Sequence, residues 1–325
     1  MHNLCIIVGE NSSYGDMFEA MCSDIDTDNV IFFNKPFTKY DSFSNLFRRV
    51  LRKFKLYTFY ECYYQLLKII KRNKQKNIDV LFFSPGLREN YEKNFLIKIK
   101  RKYNVRIGIL FVDMFGTPPT LRAESLLKEE ALIDYAYTIE EEDALNNKFL
   151  RLCYTPYAPY GNIESTKKRE IYFCGTVKDR GDLIENVIYK LQEKNIPMNI
   201  KLIVPDKEKY NHLDNVDGVY IKGYEQMLSY YQVLEDTRQT DILLDINAMG
   251  QTALSLRPYE AVVYNKRLLT NNKKIFEFKY YDERFMRYFT TLTTEDIEWI
   301  QNEVDVDYHY KGEFSINNII KEIQM

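Results

Sequence analysis

Continuous apolar runs, each followed by a polar loop and a segment with helical spacing, are the feature that most constrains the fold of this chain. The first half contains LCIIVGE, NVIFFNK, IDVLFFSPG, VRIGILFVDMFG and LIDYAYTI, and the second contains EIYFCGTV, MNIKLIVPD, GVYIKGY, DILLDIN and KRLLTNN. A short run that is apolar at nearly every position is typical of a parallel strand buried on both faces. Such strands separated by helices predict two doubly wound α/β units.

The segment TPYAPYGNIESTKKRE separates the two halves and is rich in Pro, Gly, Ser and Thr, as linkers often are. We therefore predict a Rossmann-like domain over residues 1–160 and a second one over residues 161–325, with a last helix that can cross back to the first domain. Ligands of open α/β sheets bind outside the carboxyl ends of the strands. The two domains are therefore expected to face each other across a cleft.

Charge and composition limit the classes of partner. The chain of 325 residues has a net charge of -2, so no global basic excess indicates nucleic acid, and we expect no nucleic-acid partner. Its 5 cysteines are scattered and its 3 histidines lie far apart, so we expect no metal site. No run approaches the ~18 apolar residues of a membrane span, and no signal peptide is recognisable. The predicted localisation is cytoplasmic.

The stretch DILLDINAMGQTALSLRPYEAVVYNKRLLTNN, residues 241–272, is interpreted as strand, polar loop, helix and strand. The first amides of a helix lack partners and carry a partial positive charge, and neighbouring hydroxyl groups add donors. This combination suits a phosphate or diphosphate. Pro258 suits a first helical turn and places the helix start near Ser255–Arg257. The candidate donor-binding residues of this stretch are Gln251, Thr252, Ser255, Arg257 and Glu260.

Glu260 lies about one and a half helical turns past Ser255. Its carboxylate can accept two hydrogen bonds from neighbouring hydroxyls, as the acidic residue of dinucleotide folds does on a ribose. The structural alternative is that Thr252 or Ser255 caps the helix and that Glu260 pairs with a surface lysine. Spacing alone leaves both interpretations open.

The order of IYFCGTVKDRGDLIENVIYKL, NIKLIVPD, GVYIKGYEQMLSYYQVLEDTRQTDILLDIN and QTALSLRPYEAVVYNKRLLTNN resembles the carboxyl-terminal domain of GT-B glycosyltransferases. The resemblance extends from Glu170 to about Lys311 and is greatest to bacterial enzymes that build capsule or lipopolysaccharide sugars. It implies that Thr252 and Ser255 hold the diphosphate of a nucleoside diphosphate sugar, and that Glu260 binds its ribose. Asn265 stands where the family usually has Gly, and both residues tolerate left-handed geometry.

The resemblance implies a glycosyltransferase that moves a sugar from a nucleoside diphosphate sugar to a growing bacterial surface glycan or a lipid-linked acceptor, with no cofactor. Many retaining members carry a Glu eight positions before the ribose-binding one, and Thr252 stands there in this chain. The stereochemistry is therefore unassigned. Two alternatives stay open: a sugar-nucleotide 2-epimerase of the same fold, for which 3 isolated histidines are few, and a non-catalytic nucleotide-sugar-binding partner.

The loop CGTVKDRGD follows the first strand of the second domain. Gly175 allows a tight exit, and Thr176, Lys178 and Arg180 follow it. In the family that the chain resembles, this loop faces the donor. A leaving diphosphate gains negative charge, which a positioned guanidinium or ammonium group stabilises without a metal. We predict that Arg180 has this role and rank Lys178 second, with a solvated loop as the alternative.

In the first domain, ILFVDMFGT places Asp113 just after a strand, at the ligand-facing end. A carboxylate there can act as general base for an acceptor hydroxyl, a role for which Asp16 and Glu19 compete. The loop VGENSSYGD, with Asn11, Ser12 and Ser13, is predicted to face the cleft, with an ordinary turn as the alternative. TIEEED, residues 138–143, is expected to be a solvated helix start whose acidic groups suit the helix dipole.

From Ser44 to Lys76 the sequence has ten Lys or Arg residues and one acidic residue, Glu61, with aromatic and apolar residues between them. This pattern predicts a helix that binds an anionic membrane surface, which would place the protein at the inner face of the membrane. The alternative is a packing helix with a solvated basic face. The predicted membrane contacts are Arg48, Arg49, Arg52 and Lys53.

Overall fold

A computed structural model describes most of the chain and divides it into two compact units. Unit 1 comprises Met1–Ala158 and Phe314–Met325, and unit 2 comprises Pro159–Glu313. The described residues are 3–9, 15–25, 29–33, 61–87, 93–118, 120–129, 131–159, 168–248 and 253–325.

Unit 1 is built on a six-stranded sheet in the order β2-β1-β3-β4-β5-β6, in which each neighbouring pair is parallel. The strands are β1 (Asn3–Val8), β2 (Val30–Phe33), β3 (Asn77–Phe83), β4 (Val105–Phe111), β5 (Tyr135–Thr138) and β6 (Leu150–Leu152). The helices described between them are α1 (Gly15–Met21), α2 (Glu61–Arg72), α3 (Lys93–Tyr103), α4 (Leu121–Leu127) and α5 (Glu141–Asn146). A short 3₁₀ helix, Ser84–Leu87, follows β3.

The central strands of unit 1 are buried on both faces, as their continuous apolar sequences predict. Six of the seven residues of β3 and six of the seven residues of β4 are buried. Helices cover them with apolar side chains such as Leu66 of α2 and Leu96 of α3, which belong to the same core cluster. Burying both faces of the strands removes apolar area from water on both sides of the sheet, which is the main stabilising term for such a layer.

Unit 2 has a second six-stranded parallel sheet, in the order β12-β11-β10-β7-β8-β9. Its strands are β7 (Lys168–Thr176), β8 (Met198–Val204), β9 (Val219–Gly223), β10 (Thr240–Asp245), β11 (Arg267–Thr270) and β12 (Met286–Tyr288). Its helices are α6 (Gly181–Glu193), α7 (Tyr230–Gln239), α8 (Leu256–Val263) and α9 (Thr294–Gln301). Three 3₁₀ helices also occur, at Glu208–Leu213, Tyr224–Gln226 and Lys273–Glu277. The predicted fold class, two doubly wound α/β units, is confirmed.

The last helix, α10 (Ile316–Gln324), packs on unit 1. Just before it, the backbone N–H of Tyr157 donates to the carbonyl oxygen of Phe314 at 2.8 Å. Within it, Ile323 is buried, and its carbonyl oxygen accepts from Nη2 of Arg106 at 2.7 Å. An apolar helix face and a cationic side chain at the helix end therefore hold the carboxyl terminus on unit 1.

Some elements differ from the sequence-based prediction. The segment YEQMLSYYQVLEDT, residues 224–237, is interpreted from its sequence as one helix, but the helix begins only at Tyr230, because Ser229 and Gln232 form a capping box that starts it there. The strands β6 and β12 were not predicted, since each has only three residues.

Candidate functional site

The chain order of the second sheet reverses at β7, which pairs with β8 on one side and β10 on the other. The crevice outside the carboxyl ends of the strands at such a reversal is where open α/β sheets bind ligands. The chain leaves the sheet there at residues 177–180 after β7 and at residues 246–248 after β10, and residues 253–255 lead into α8. Both loops carry residues predicted from the sequence to bind a donor, so they form the candidate site of unit 2.

The guanidinium group of Arg180 links these two loops. Its Nε and Nη2 donate to the carbonyl oxygen of Thr176 at 3.0 and 2.7 Å, and its Nη1 donates to the carbonyl oxygen of Ile246. These bonds use three of the five N–H groups of the side chain and leave two for another acceptor. Burial lowers the pKa of Arg180, and the negative charge of Asp245 partly opposes this effect. Arg180 thus places a cation between the ends of β7 and β10.

Gly175 leaves the room that Arg180 occupies. A Cβ atom at Gly175 would lie 3.0 Å from Nη2 of Arg180 and 3.2 Å from a ring carbon of Phe173. Thr176, the last residue of β7, is half-buried beside them. Lys178 is exposed and adopts a left-handed conformation with φ of 47°. The structure therefore brings Gly175, Thr176 and Arg180 together, and leaves the Lys178 side chain at the surface.

Asp245, at the end of β10, organises the second loop and was not among the predicted site residues. It is 3% exposed, and its two carboxylate oxygens accept from the hydroxyl groups of Ser255 at 2.8 Å and Thr270 at 2.7 Å. Burial raises its pKa, whereas the two hydroxyl groups act in the opposite direction. The run DILLDIN contains two acidic residues, Asp241 and Asp245, and its sequence does not show which of them lies in the site.

Ser255 caps α8. Its Oγ accepts from the backbone N–H of Arg257 at 3.1 Å while its hydroxyl group donates to Asp245. The helix begins at Leu256, so Pro258 lies in the first turn, as predicted. Ser255 therefore caps the helix, as the structural alternative proposed, and both hydrogen bonds hold its hydroxyl group in place. At the other end of the helix, Asn265 has φ of 49°, in agreement with the predicted tolerance for left-handed geometry.

Glu260 is fully buried and has two protein partners. One carboxylate oxygen accepts from the hydroxyl group of Tyr230 at 2.9 Å, and the other forms an ion pair with Nη1 of Arg257. The structural alternative had paired Glu260 with a surface lysine, and this was wrong: the partner is an arginine one turn earlier on the same helix. A ribose can reach this carboxylate only if one of the two partners moves.

Arg257 lies between β7, α7 and α8. Its Nη1 is 3.3 Å from the hydroxyl oxygen of Thr237, its Nη2 is 3.4 Å from the carbonyl oxygen of Cys174, and its guanidinium carbon is 5.6 Å from the ring centre of Tyr172. Burial is the largest single influence and disfavours its charge, but Glu260, Tyr172, Cys174 and Tyr230 together act in the opposite direction, and the pKa of Arg257 is raised on balance. The charged side chain of Arg257 therefore links α8 to the sheet.

In unit 1 the chain order reverses at β1, which pairs with both β2 and β3. The loops after β1 and β3 approach each other closely, since a Cβ atom at Gly86 would lie 3.0 Å from the carbonyl oxygen of Gly9. The predicted cleft residues Asn11, Ser12 and Ser13 follow Gly9 and lie outside the described residues, as do Gln251 and Thr252 of unit 2 and the predicted membrane contacts Arg48, Arg49, Arg52 and Lys53.

Asp113 is exposed in the loop that follows β4. Carboxylates of the next two helices hold this loop: Asp143 accepts from the backbone N–H of Phe115 at 3.0 Å, and Glu124 accepts from that of Gly116 at 2.8 Å. The rival candidates Asp16 and Glu19 are both exposed on α1. Asp113 thus lies on a loop that is fixed by hydrogen bonds at the carboxyl ends of the strands.

Glu140 contradicts the expectation that TIEEED is solvated throughout. Glu141 and Glu142 are exposed in the first turn of α5, but Glu140, the residue before the helix, is 7% exposed. Its backbone N–H donates to Oγ1 of Thr138 at 3.1 Å, which keeps it against the end of β5. Burial, together with repulsion from Asp143, Asp113 and Glu142, raises its pKa to about 7. Four consecutive acidic residues look alike in the sequence, so nothing singled this one out.

The described part of the chain lacks two features. No group of three or more His, Cys, Asp or Glu side chains there is arranged to hold a metal ion. Within the same ranges, no helix combines the length and apolar character that crossing a bilayer requires.

Comparisons with known proteins find likeness only in structure. No protein-family model matches the chain, and no curated protein matches its sequence. HepE (Alr3699) of Anabaena, solved in complex with UDP-glucose, has a TM-score of 0.52 at 9% identity, with 99% of this chain and 98% of that chain covered. A proposed UDP-N-acetylglucosamine 2-epimerase from Listeria monocytogenes has a TM-score of 0.54 at 10% identity, with 99% and 96% covered.

A third similar structure is larger than this chain. The Glycosylation Associate Protein (Gap123) complex from Streptococcus agalactiae has a TM-score of 0.47 at 9% identity, and the chain, matched over 81% of its length, spans 55% of that protein. The similarity to the Anabaena and Listeria proteins over nearly the whole length shows the fold. The chain has the two-domain Rossmann-like GT-B fold, and this confirms the resemblance inferred from its sequence.

We predict that Asp245→Ala lowers the free energy of unfolding by about 1–3 kcal/mol, because the buried hydroxyl groups of Ser255 and Thr270 lose their acceptor. Urea denaturation of the two proteins measures the difference. Asp217→Asn, which changes an exposed carboxylate of the same unit, should leave stability within about 0.5 kcal/mol of the parent. Equal stability of Asp245→Ala and the parent would show that Asp245 does not organise the loop.

Proposed function

We propose that unit 2 binds the diphosphate of a nucleoside diphosphate sugar outside the ends of β7 and β10. We propose further that the protein is a glycosyltransferase which moves that sugar to a surface glycan or a lipid-linked acceptor without a metal ion. The observation that carries the proposal is Arg180, which joins both strand exits and has two N–H groups left for an anion.

The local chemistry suits a diphosphate. Two guanidinium groups, those of Arg180 and Arg257, lie near the same strand exits, and Gly175 leaves the space in which the guanidinium group of Arg180 sits. As the glycosidic bond breaks, negative charge grows on the leaving diphosphate, and a fixed guanidinium group stabilises that charge. The UDP-glucose bound to HepE, which has the same fold, supports the choice of a sugar nucleotide as ligand.

The pairing of Glu260 suggests how a donor is admitted. A diphosphate offers Arg257 a second anionic partner, so that Arg257 can turn from Glu260 to the phosphate oxygens. Glu260 then keeps its hydrogen bond from Tyr230 and has one oxygen for a ribose hydroxyl. In this proposal Arg257 and Glu260 neutralise each other without a donor and exchange partners when it binds.

We also infer that the acceptor is bound by unit 1 near an anionic membrane surface. The described part of the basic segment supports this inference: in α2, Leu66, Leu67 and Ile70 are buried, whereas Lys68, Lys71 and Arg72 are exposed. The helix therefore packs through its apolar side and presents a basic side to solvent, which an anionic lipid surface attracts.

A sugar-nucleotide 2-epimerase is the second candidate, and one observation favours it. Epimerisation needs a group that takes up and returns a proton, and the raised pKa of Glu140, about 7, suits that task. Incubation with the sugar nucleotide alone separates the two functions. A transferase leaves the donor sugar unisomerised, whereas an epimerase converts it without any acceptor.

Binding of nucleoside diphosphates and of inorganic pyrophosphate tests the two contacts separately. A thermal-shift panel of UDP, GDP, CDP and dTDP first selects the best ligand, because a ligand of the folded state raises the melting temperature. By calorimetry, Glu260→Gln should weaken that nucleotide at least about tenfold, since the ribose contact is lost, and should not weaken pyrophosphate, since Arg257 is released from its anionic partner. Arg180→Gln should weaken both ligands.

Asp217→Asn, an exposed change in the same unit, is the control and should bind both ligands like the parent. If Glu260→Gln binds the nucleotide with unchanged affinity, the ribose assignment is wrong. If Arg180→Gln binds pyrophosphate like the parent, the diphosphate does not lie between the two loops.

Vesicle sedimentation tests the membrane contact. Changing Arg48, Arg49, Arg52 and Lys53 to Glu should release the protein from vesicles containing phosphatidylglycerol, because each basic residue near such a surface contributes about 1 kcal/mol. The parent should bind, and should dissociate when salt screens the charges. A parent protein that never sediments with anionic vesicles would contradict the inference.

A further inference from the structure

The carboxyl ends of β4 and β5 bring Asp113 and Glu140 to one edge of the first sheet. The two strands are neighbours, with Phe111 opposite Thr138, and the backbone N–H of Ile139 donates to the carbonyl oxygen of Phe111 at 3.3 Å. Asp113 and Glu140 each lie two residues beyond the end of their strand. Ligands of open α/β sheets bind on the side where the strands end, and Glu140 lies on that side, three strands from the reversal at β1.

Glu140 is only 7% exposed, and the hydrogen bond that it makes within the described ranges is through its backbone N–H and not through its carboxylate. Buried carboxyl groups are ordinarily hydrogen-bonded or paired with a cation. Its acidic neighbours are satisfied: Asp143 accepts from the backbone of Phe115, and Glu124 accepts from the hydroxyl group of Thr120 at 2.6 Å. Glu140 therefore has unused hydrogen-bonding capacity on the side where the strands end.

The charged groups that act on Glu140 decide which partner suits it. They are Asp113 from the loop after β4, and Glu142 and Asp143 from α5, and all three are carboxylates. An anionic ligand would be repelled by this set. A hydroxyl group is neutral, and it can donate to an ionised carboxylate or accept from a protonated one. A sugar hydroxyl fits both protonation states of Glu140.

We propose that Glu140, rather than Asp113, is the group of unit 1 that binds the reacting hydroxyl of the acceptor sugar and takes its proton. This inference rests on the proposed glycosyl transfer. In that step the acceptor O–H bond breaks and its proton passes to Glu140, while the hydroxyl oxygen bonds to the anomeric carbon of the donor. The bond from that carbon to the diphosphate oxygen breaks, and its electron pair stays on the diphosphate. Burial and then the neighbouring carboxylates of Asp143, Asp113 and Glu142, in decreasing order of effect, favour the protonated form of Glu140.

The acidity of Glu140 suits this role. A general base works best when its pKa lies near the working pH, and the pKa of Glu140 is raised to about 7. The raised value means that the folded protein holds a proton which the unfolded chain has released. The stability of the fold therefore declines as pH rises from the ordinary value of 4.5 to about 7 and is constant above that. Gln, which is neutral at every pH, removes this part of the pH dependence and should fold normally.

Infrared difference spectroscopy during a pH titration tests the inference in the absence of any ligand. The parent should show a carboxyl group that ionises near pH 7, and the same signal should be missing from Glu140→Gln. The matched control is Glu141→Gln, because Glu141 is the exposed neighbour, and it should retain the signal. A Glu140→Gln spectrum that lacks only a carboxyl group ionising below about pH 5 overturns the proposal.

The rate of transfer provides the second measurement, with the best-binding sugar nucleotide as donor. The kcat of the parent should rise with pH through about 7 and then level off, because the base must be ionised. Glu140→Gln should lower kcat by about 10²–10⁴-fold at nearly constant donor affinity and remove that rise. A Glu140→Gln enzyme with the kcat and pH profile of the parent overturns the assignment while the transferase function stands.

Failure of the proposed function has a different signature. If no sugar nucleotide binds but Glu140 ionises near pH 7, the proposed donor site is wrong, whereas the assignment of Glu140 as a proton-accepting carboxyl group is retained. If nucleotides bind and Glu140 ionises like an ordinary glutamate, the donor site stands and this inference falls.

Discussion

The hydrogen bonds of Arg180 to the carbonyl oxygens of Thr176 and Ile246 are the interaction on which the account of unit 2 depends. They join the exits of two strands at the point where the sheet reverses its order, which is where open α/β folds bind ligands. Asp245 supports the same place from the other loop by accepting from two hydroxyl groups. Backbone carbonyl groups therefore fix the cation of Arg180, and hydroxyl groups fix the anion of Asp245, at the ends of the same strands.

In the proposed function, structural and binding roles overlap in this region. Ser255 is a helix cap, and Arg257 and Glu260 are a buried ion pair, so each residue contributes to the fold before any ligand binds. Removing one partner of a buried pair leaves an uncompensated charge, whereas exchanging partners keeps every charge paired. A diphosphate and a ribose supply the matching anion and hydroxyl groups. The same pair can thus stabilise the empty fold and select a nucleotide by exchange.

The sequence predicts the elements better than it predicts the contacts. Continuous apolar runs identify the central strands, and Pro258 locates the start of α8, because both signals are local. No local sequence pattern shows which residues the topology brings together. The sequence therefore predicts neither the hydrogen-bond partner of Glu260 nor the burial of Glu140. Asp245 is an intermediate case: an acidic residue at the end of an apolar strand is visible in the sequence, but its hydroxyl partners are not.

The most direct test of the central claim is a crystal structure with UDP, GDP, CDP or dTDP bound. The account predicts that the pyrophosphate lies between the loops after β7 and β10, with Nη atoms of Arg180 within hydrogen-bond distance, and that Arg257 has moved from Glu260 towards it. A nucleotide bound elsewhere, with Arg257 and Glu260 still paired and Arg180 touching only the carbonyl groups of the protein, would contradict the account.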